Sequence, residues 1–133
     1  MTGAFADTVY FAALNNRRDA LHALASEFEQ MIEEIVTTEF ILVETATFFL
    51  RPGDRYRFSN LDAALRANPN VTIIPARADL YARGLVLFAA RPDKTWSLTD
   101  CISFEVMTEL ELTDALTADE HFEQAGFRVL LKP

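Results

Sequence analysis

The chain is poor in several things at once, and each shortage excludes a class of protein. It has one cysteine, Cys101, in 133 residues. That excludes an internal disulfide and suits a reducing cytosol, so a cytoplasmic protein is expected. No apolar run approaches the ~20 residues that a membrane helix requires, and no membrane role is expected. The N-terminus has no basic stretch, and Asp7 interrupts the apolar residues around it, so it does not read as a secretory signal. There is no glycine-rich phosphate loop, no Gly-x-Ser-x-Gly elbow and no zinc-ligand spacing. Basic residues are few: twelve Lys and Arg face twenty Asp and Glu, for a formal charge of -8. A generic nucleic-acid binder draws on clustered Lys and Arg, so this balance argues against one. It leaves a nuclease open, because an acidic metal pocket inflates the negative count until the metal binds. Internal repeats, low-complexity segments and linkers are also missing. Residues 1–133 therefore read as a single domain.

What is present is apolar: 50% of the residues are hydrophobic, enough for a real core. Residues 3–7 read as a short buried strand and Thr8–Leu14 as a helix capped by Asp7 or Thr8. Leu21, Leu24, Phe28, Met31, Ile32 and Ile35 recur at helical spacing, which predicts a helix over 20–34. The β-branched Ile35–Thr38 is a strand. Helices follow over 39–50, stopped at Arg51-Pro52-Gly53, and over 58–67, stopped at Asn68-Pro69. Val71–Ile74 is a strand and 77–90 a helix. The next helix starts at Ser97 or Thr99 and runs to about Leu112. Asp114–Thr117 is a strand, 120–125 a short helix and Arg128–Leu131 a final strand. Strands alternating with helices predict an α/β fold with a central parallel sheet of about five strands. Ligands of such sheets bind beyond the carboxyl ends of the strands.

Four carboxylates fall at the edges of these apolar segments: Asp7, Glu44, Asp100 and Asp119. Acidic groups beside a core are costly without compensation, and a divalent cation is the usual compensation where several meet. Asp7 follows an apolar strand directly. Glu44 has Phe40, Ile41, Thr47 and Phe48 as its helical neighbours; its bland alternative is a buried pair with an arginine. Asp100 lies in Ser97-Leu98-Thr99-Asp100, which resembles a capping box with Asp in place of Glu. Asp119 also has a capping alternative, at the start of helix 120–125. His22 and His121 have no partner at metal-ligand spacing and read as surface or packing residues. Cys101 reads as a small core residue, Trp96 as a core edge, and Asp93 as an orderer of a polar loop. Arginines collect in two loop-like clusters, Arg17-Arg18 and Arg51, Arg55, Arg57; singly, each reads as a solvated loop residue.

Three stretches together resemble the PIN domain family, specifically its VapC-type toxin nucleases. They are Phe5-Ala6-Asp7-Thr8 with Ala12–Asn15 and Asp19; Val36–Glu39 with Leu42-Val43-Glu44-Thr45; and, most specifically, Asp93–Phe104 with Ala115–Phe127. The resemblance implies a three-layer α/β/α sandwich and a metal-dependent ribonuclease. By that resemblance Asp7, Glu44, Asp100 and Asp119 fall on the family's acidic quartet, and Thr8 on its hydroxyl position beside the first Asp. Val9 departs from the pattern, standing where a small hydroxyl residue is common. One or two Mg²⁺ or Mn²⁺ ions would be held by Asp7, Asp100 and Asp119, with Glu44 orienting a metal water or holding a second ion. The implied partners are an RNA substrate, an antitoxin protein and a second copy of the chain. Two other readings stay open: a catalytically idle interaction module of the same fold, and a receiver-like phosphoryl-transfer domain. The latter lacks a suitably placed lysine, since the only C-terminal one, Lys132, follows the last strand.

Overall fold

A computed structural model describes residues 3–133; the first two residues of the expected domain lie outside it. Five parallel strands form one sheet in the order β3-β2-β1-β4-β5. They are β1 (Gly3–Ala6), β2 (Glu34–Thr38), β3 (Val71–Ile74), β4 (Asp114–Leu116) and β5 (Arg128–Val129). The helices are α1 (Thr8–Leu14), α2 (His22–Met31), α3 (Glu39–Ala46), α4 (Arg55–Ala67), α5 (Ala78–Ala90), α6 (Leu98–Glu109) and α7 (Glu120–Gln124). The expected elements are all there. Helix 39–50 differs, because it tightens into a 3-10 turn over Thr47–Phe49. The helix over 20–34 is shorter at both ends, as Glu34 already pairs with Gly3 in the sheet.

The chain moves outward from β1 through β2 to β3, then returns across β1 to add β4 and β5 on the other side. With right-handed crossovers, this places α1 to α4 on one face and α5 to α7 on the other. Packing agrees: α1 lies against α2 and α3, and α5 lies along α6. The strand order reverses between β1 and β4, and a crevice opens there beyond the carboxyl ends. Asp7 follows β1 at that point, and Thr117 to Asp119 follow β4.

The core explains why the crevice is rigid. Ala4, Phe5 and Ala6 of β1 are fully buried, as expected for a central parallel strand covered on both faces. Phe104 of α6 stacks edge-on with Trp96 and with Phe122 of α7, both at 5.0 Å between ring centres, and Phe122 reaches Phe5 at 6.4 Å. This aromatic run ties α6, α7 and β1 together beneath the carboxylates. Trp96 is buried at the core edge, with its indole N–H donating to Gln124 at 3.0 Å. Cys101 is fully buried and burial raises its thiol pKa, so it packs and does not react. Close contact of α5 with α6 depends on Gly84, where a Cβ would lie 2.3 Å from Ile102 Cγ1.

Candidate active site

Each carboxylate reaches the crevice from a different element. Asp7 is the residue before α1, but its side chain makes no capping hydrogen bond. It is 4% exposed, and its Oδ2 accepts from Thr117 Oγ1 at 2.7 Å. Thr117 Oγ1 in turn accepts from the Asp119 amide at 3.1 Å. Asp119 caps α7 by accepting from the His121 amide at 2.9 Å. His121 Nδ1 lies 3.0 Å from Asp100 Oδ2 and 3.4 Å from Asp119 Oδ1, and its Nε2 lies 3.2 Å from Thr95 Oγ1. Asp100 completes a capping box at the start of α6: its amide donates to Ser97 Oγ at 3.0 Å and its carboxylate accepts from the Ser97 amide at 3.1 Å. On the other flank, Thr8 Oγ1 donates to Glu44 Oε1 at 2.6 Å. Thr38 caps α3 by accepting from the Ile41 amide at 3.1 Å, and so fixes the helix that carries Glu44.

Asp7, Asp119 and Asp100 are thus joined in one hydrogen-bonded line through Thr117 and His121, while Glu44 stands apart from that line on Thr8, near enough for its charge to act on Asp7. Capping and site roles coexist at Asp100 and Asp119, because one carboxylate can accept several hydrogen bonds. Glu44 is not paired with an arginine; its partner is a hydroxyl. Indeed, among the described residues no lysine or arginine pairs with Asp7, Glu44, Asp100 or Asp119, although the chain's other acids pair widely. The consequence shows at Asp7, whose pKa is pushed up from 3.8 to about 7. Burial is the main cause; the Thr117 hydroxyl pulls it back, and the charges of Asp100 and Glu44 push it up further.

Asp100, Asp119 and His121 offer ligand atoms that all lie within 4.8 Å of one another. Clustered carboxylate oxygens against which no lysine or arginine pairs among the described residues fit a hard divalent cation. The compact donor group includes His121, which the sequence assigned to surface or packing, and does not include Asp7. Asp7 instead joins the group through Thr117. Two residues of the site were therefore missed: His121 and Thr117. The available signal for both was local, since Thr117 and His121 stand two residues either side of Asp119 and line one strand-to-helix turn.

The sequence profile of the PIN domain family matches residues 4–128. The chain belongs to the PIN domain family. Among its relatives is the 23S rRNA-specific endonuclease VapC20 of Mycobacterium tuberculosis, from strain CDC 1551 / Oshkosh and from strain ATCC 25618 / H37Rv. Each is 31% identical over 124 residues, covering 92% of this chain and 94% of the relative. The crystal structure of Mycobacterium tuberculosis VapC20, described as a sarcin-ricin loop cleaving toxin, superposes with a TM-score of 0.85 at 30% identity, covering 98% of this chain and 99% of that one. The five-stranded parallel sheet and the α/β architecture of this PIN domain are shared with that structure. No helix is long and apolar enough to cross a membrane among the described residues.

Proposed function

We propose that residues 1–133 form one PIN nuclease domain, a metal-dependent endoribonuclease acting as the toxin of a type II toxin–antitoxin pair in the cytoplasm. The observation that carries this reading is the acidic group at the strand-order reversal, Asp7, Asp119 and Asp100 linked through Thr117 and His121 with Glu44 on Thr8 beside them, against which no lysine or arginine pairs among the described residues. Likeness to VapC20 over nearly the whole chain points to RNA, with structured ribosomal RNA the first substrate to test.

Asp100 and Asp119, with His121, would hold a Mg²⁺ or Mn²⁺ ion, and Asp7 would face it from the end of β1. When bound, such an ion supplies Lewis acidity toward a phosphoryl oxygen and acidifies a bound water. The protein's own contribution is positional. Thr117 Oγ1 holds Asp7 and the Asp119 amide together, so the carboxyl ends of β1 and β4 cannot drift apart. Thr8 fixes the Glu44 carboxylate through Oε1. Glu44 would then be placed to orient a metal-bound water or to hold a second ion. The reaction is phosphodiester hydrolysis: water adds to phosphorus, one P–O bond breaks, and the leaving oxygen gains a proton.

A homodimer and an antitoxin fit the same reading. Val86 and Phe88 of α5 are exposed, although Phe49 is buried and packs against Phe58 at 5.8 Å. An antitoxin with a basic side chain would complement the acidic crevice. Purified protein incubated with ribosomal RNA and with single-stranded RNA, in Mn²⁺, Mg²⁺ or chelator, tests the central proposal. Endonucleolytic products are expected with either metal and none with chelator; no cleavage of any RNA leaves the idle-module alternative. Light scattering tests the dimer, and a strict monomer would remove it.

A further inference from the structure

The arginines are partitioned in a way that the acidic site does not explain. Arg66, Arg77, Arg83, Arg91 and Arg128 all pair with carboxylates, as does Lys132. Arg17, Arg18 and Arg51 pair with none among the described residues, and all three line one open cleft of about 820 Å³; Arg55, which donates to the Leu50 carbonyl, and Lys94 also lack a carboxylate partner but stand outside its lining. On a chain of formal charge -8, the cleft gathers three of the five cations that have no carboxylate partner among the described residues. Two carboxylates also line the cleft, but both are engaged: Asp54 by Arg57 at 3.2 Å, and Asp19 by the Leu21 amide at 2.8 Å. Asn15 and Asn16 add polar groups to its wall.

The cleft adjoins the acidic crevice. Its walls are the far end of α1 and the 3-10 turn after α3. Thr8 at the start of α1 and Glu44 in α3 are hydrogen-bonded to each other at 2.6 Å. Thr47 and Phe48 follow Glu44 by about one helical turn, a rise of ~5 Å. Phe48 lines the cleft and is 61% exposed, so its ring is open to a flat partner.

We infer that this cleft seats the RNA strand running away from the acidic site: Arg17, Arg18 and Arg51 take its phosphates, and Phe48 stacks one unpaired base. The inference rests on the nuclease reading above. The chemistry is complementary. A carboxylate cluster repels a polyanion, so affinity has to come from guanidiniums displaced from the reacting centre. Guanidiniums already paired within the protein would contribute little, whereas unpaired ones release phosphate counterions in full. An exposed aromatic beside them gives a sequence-tolerant platform for an unpaired base.

The test measures binding apart from cleavage. A fluorescein-labelled RNA hairpin with a single-stranded loop is titrated with the full chain in EDTA, by anisotropy, across a salt series. The triple variant Arg17→Gln/Arg18→Gln/Arg51→Gln is compared with Arg77→Gln/Arg91→Gln/Arg128→Gln, which loses the same formal charge from paired sites. The cleft variant should bind about 10- to 100-fold more weakly, and its dependence of log K on log salt should be shallower by about 2, from ≈0.7 per phosphate contact on single strands. The control should stay within about threefold. Phe48→Ala should lose roughly 5- to 100-fold in affinity with the salt slope unchanged. In Mn²⁺, the cleft variant should cleave with raised KM and little-changed kcat. Equal losses in both triple variants, or an unchanged slope in the cleft variant, would overturn the assignment. So would loss of a co-purifying partner protein with RNA affinity intact. Wild type that binds through the cleft but cleaves nothing would instead remove the nuclease reading and leave the RNA seat standing.

Discussion

A carboxyl group whose pKa stands at about 7, against an ordinary value of 3.8, makes Asp7 the residue at which function and stability oppose each other. In metal-free protein, between those two pH values the native state holds a proton on Asp7 that the unfolded chain has released. Stability therefore falls as pH rises across that window, by up to about 4 kcal/mol at 1.36 kcal/mol per pKa unit, and levels off above it. Asp7→Asn should remove this slope and, at pH 8 in chelator, unfold at higher urea than wild type. Equal urea midpoints for wild type at pH 5 and pH 8 would refute the cause. The same substitution should abolish RNA cleavage, as should Asp100→Asn, each by more than the roughly 10- to 100-fold typical of losing an outer partner of a metal site. Asp100→Asn should not gain the same stability, because the Asp100 carboxylate is held by the Ser97 amide and by His121. Measuring cleavage and urea unfolding on both variants separates the two effects.

Among the elements, α6 is the one with least room to move. Cys101, Ile102, Ser103, Phe104, Val106 and Met107 are all buried, so it lies between the sheet and α5 and carries Asp100 on its first turn. Its contact with α5 is set by Gly84 against Ile102. Gly84→Ala would place a methyl 2.3 Å from Ile102 Cγ1 and 3.2 Å from the Ile102 backbone. Backbone cannot rotate aside, so the helices must separate. Overpacking of this kind costs about 1–3 kcal/mol, more than the gain in helix propensity from glycine to alanine. Chemical denaturation should show the loss, and a neutral or stabilising result would mean that α5 is free to shift. Helix and strand identities were legible in the sequence because apolar spacing repeats clearly in each. The break at Thr47–Phe49 was not, since residues 39–50 read as one run of helix formers and aromatics, and only tertiary packing of Phe49 on Phe58 tightens the last turn.

For the whole molecule, ion binding should be coupled to folding. Ions that bind the native crevice and not the unfolded chain stabilise by about 2.7 kcal/mol at a concentration 100 times Kd. Mn²⁺ or Mg²⁺ should therefore raise the melting temperature of wild type, EDTA should reverse it, and Asp100→Asn or Asp119→Asn should show little of the rise. An equal rise in wild type and in both variants would place the ion elsewhere. The acidic surplus also gains a physical reading at this scale. Most arginines are absorbed in pairs with neighbouring acids, the crevice carboxylates meet no lysine or arginine among the described residues, and three of the four arginines without a carboxylate partner line one cleft.

By itself the sequence determined the α/β alternation, the positions of the turns and the four acidic candidates, because those depend on local spacing and on the cost of charge beside apolar runs. Tertiary structure decided which groups meet. Strand order alone sets β1 against β4, and only that neighbourhood lets Thr117 bridge Asp7 to Asp119 across 110 positions of sequence separation. The place of His121 two residues after Asp119 was visible in the sequence, but its pairing with Asp100 was not, because Asp100 lies 21 residues away on another helix. The fate of the arginines was equally hidden, since a guanidinium is free or spent according to which carboxylate the fold brings within about 4 Å of it.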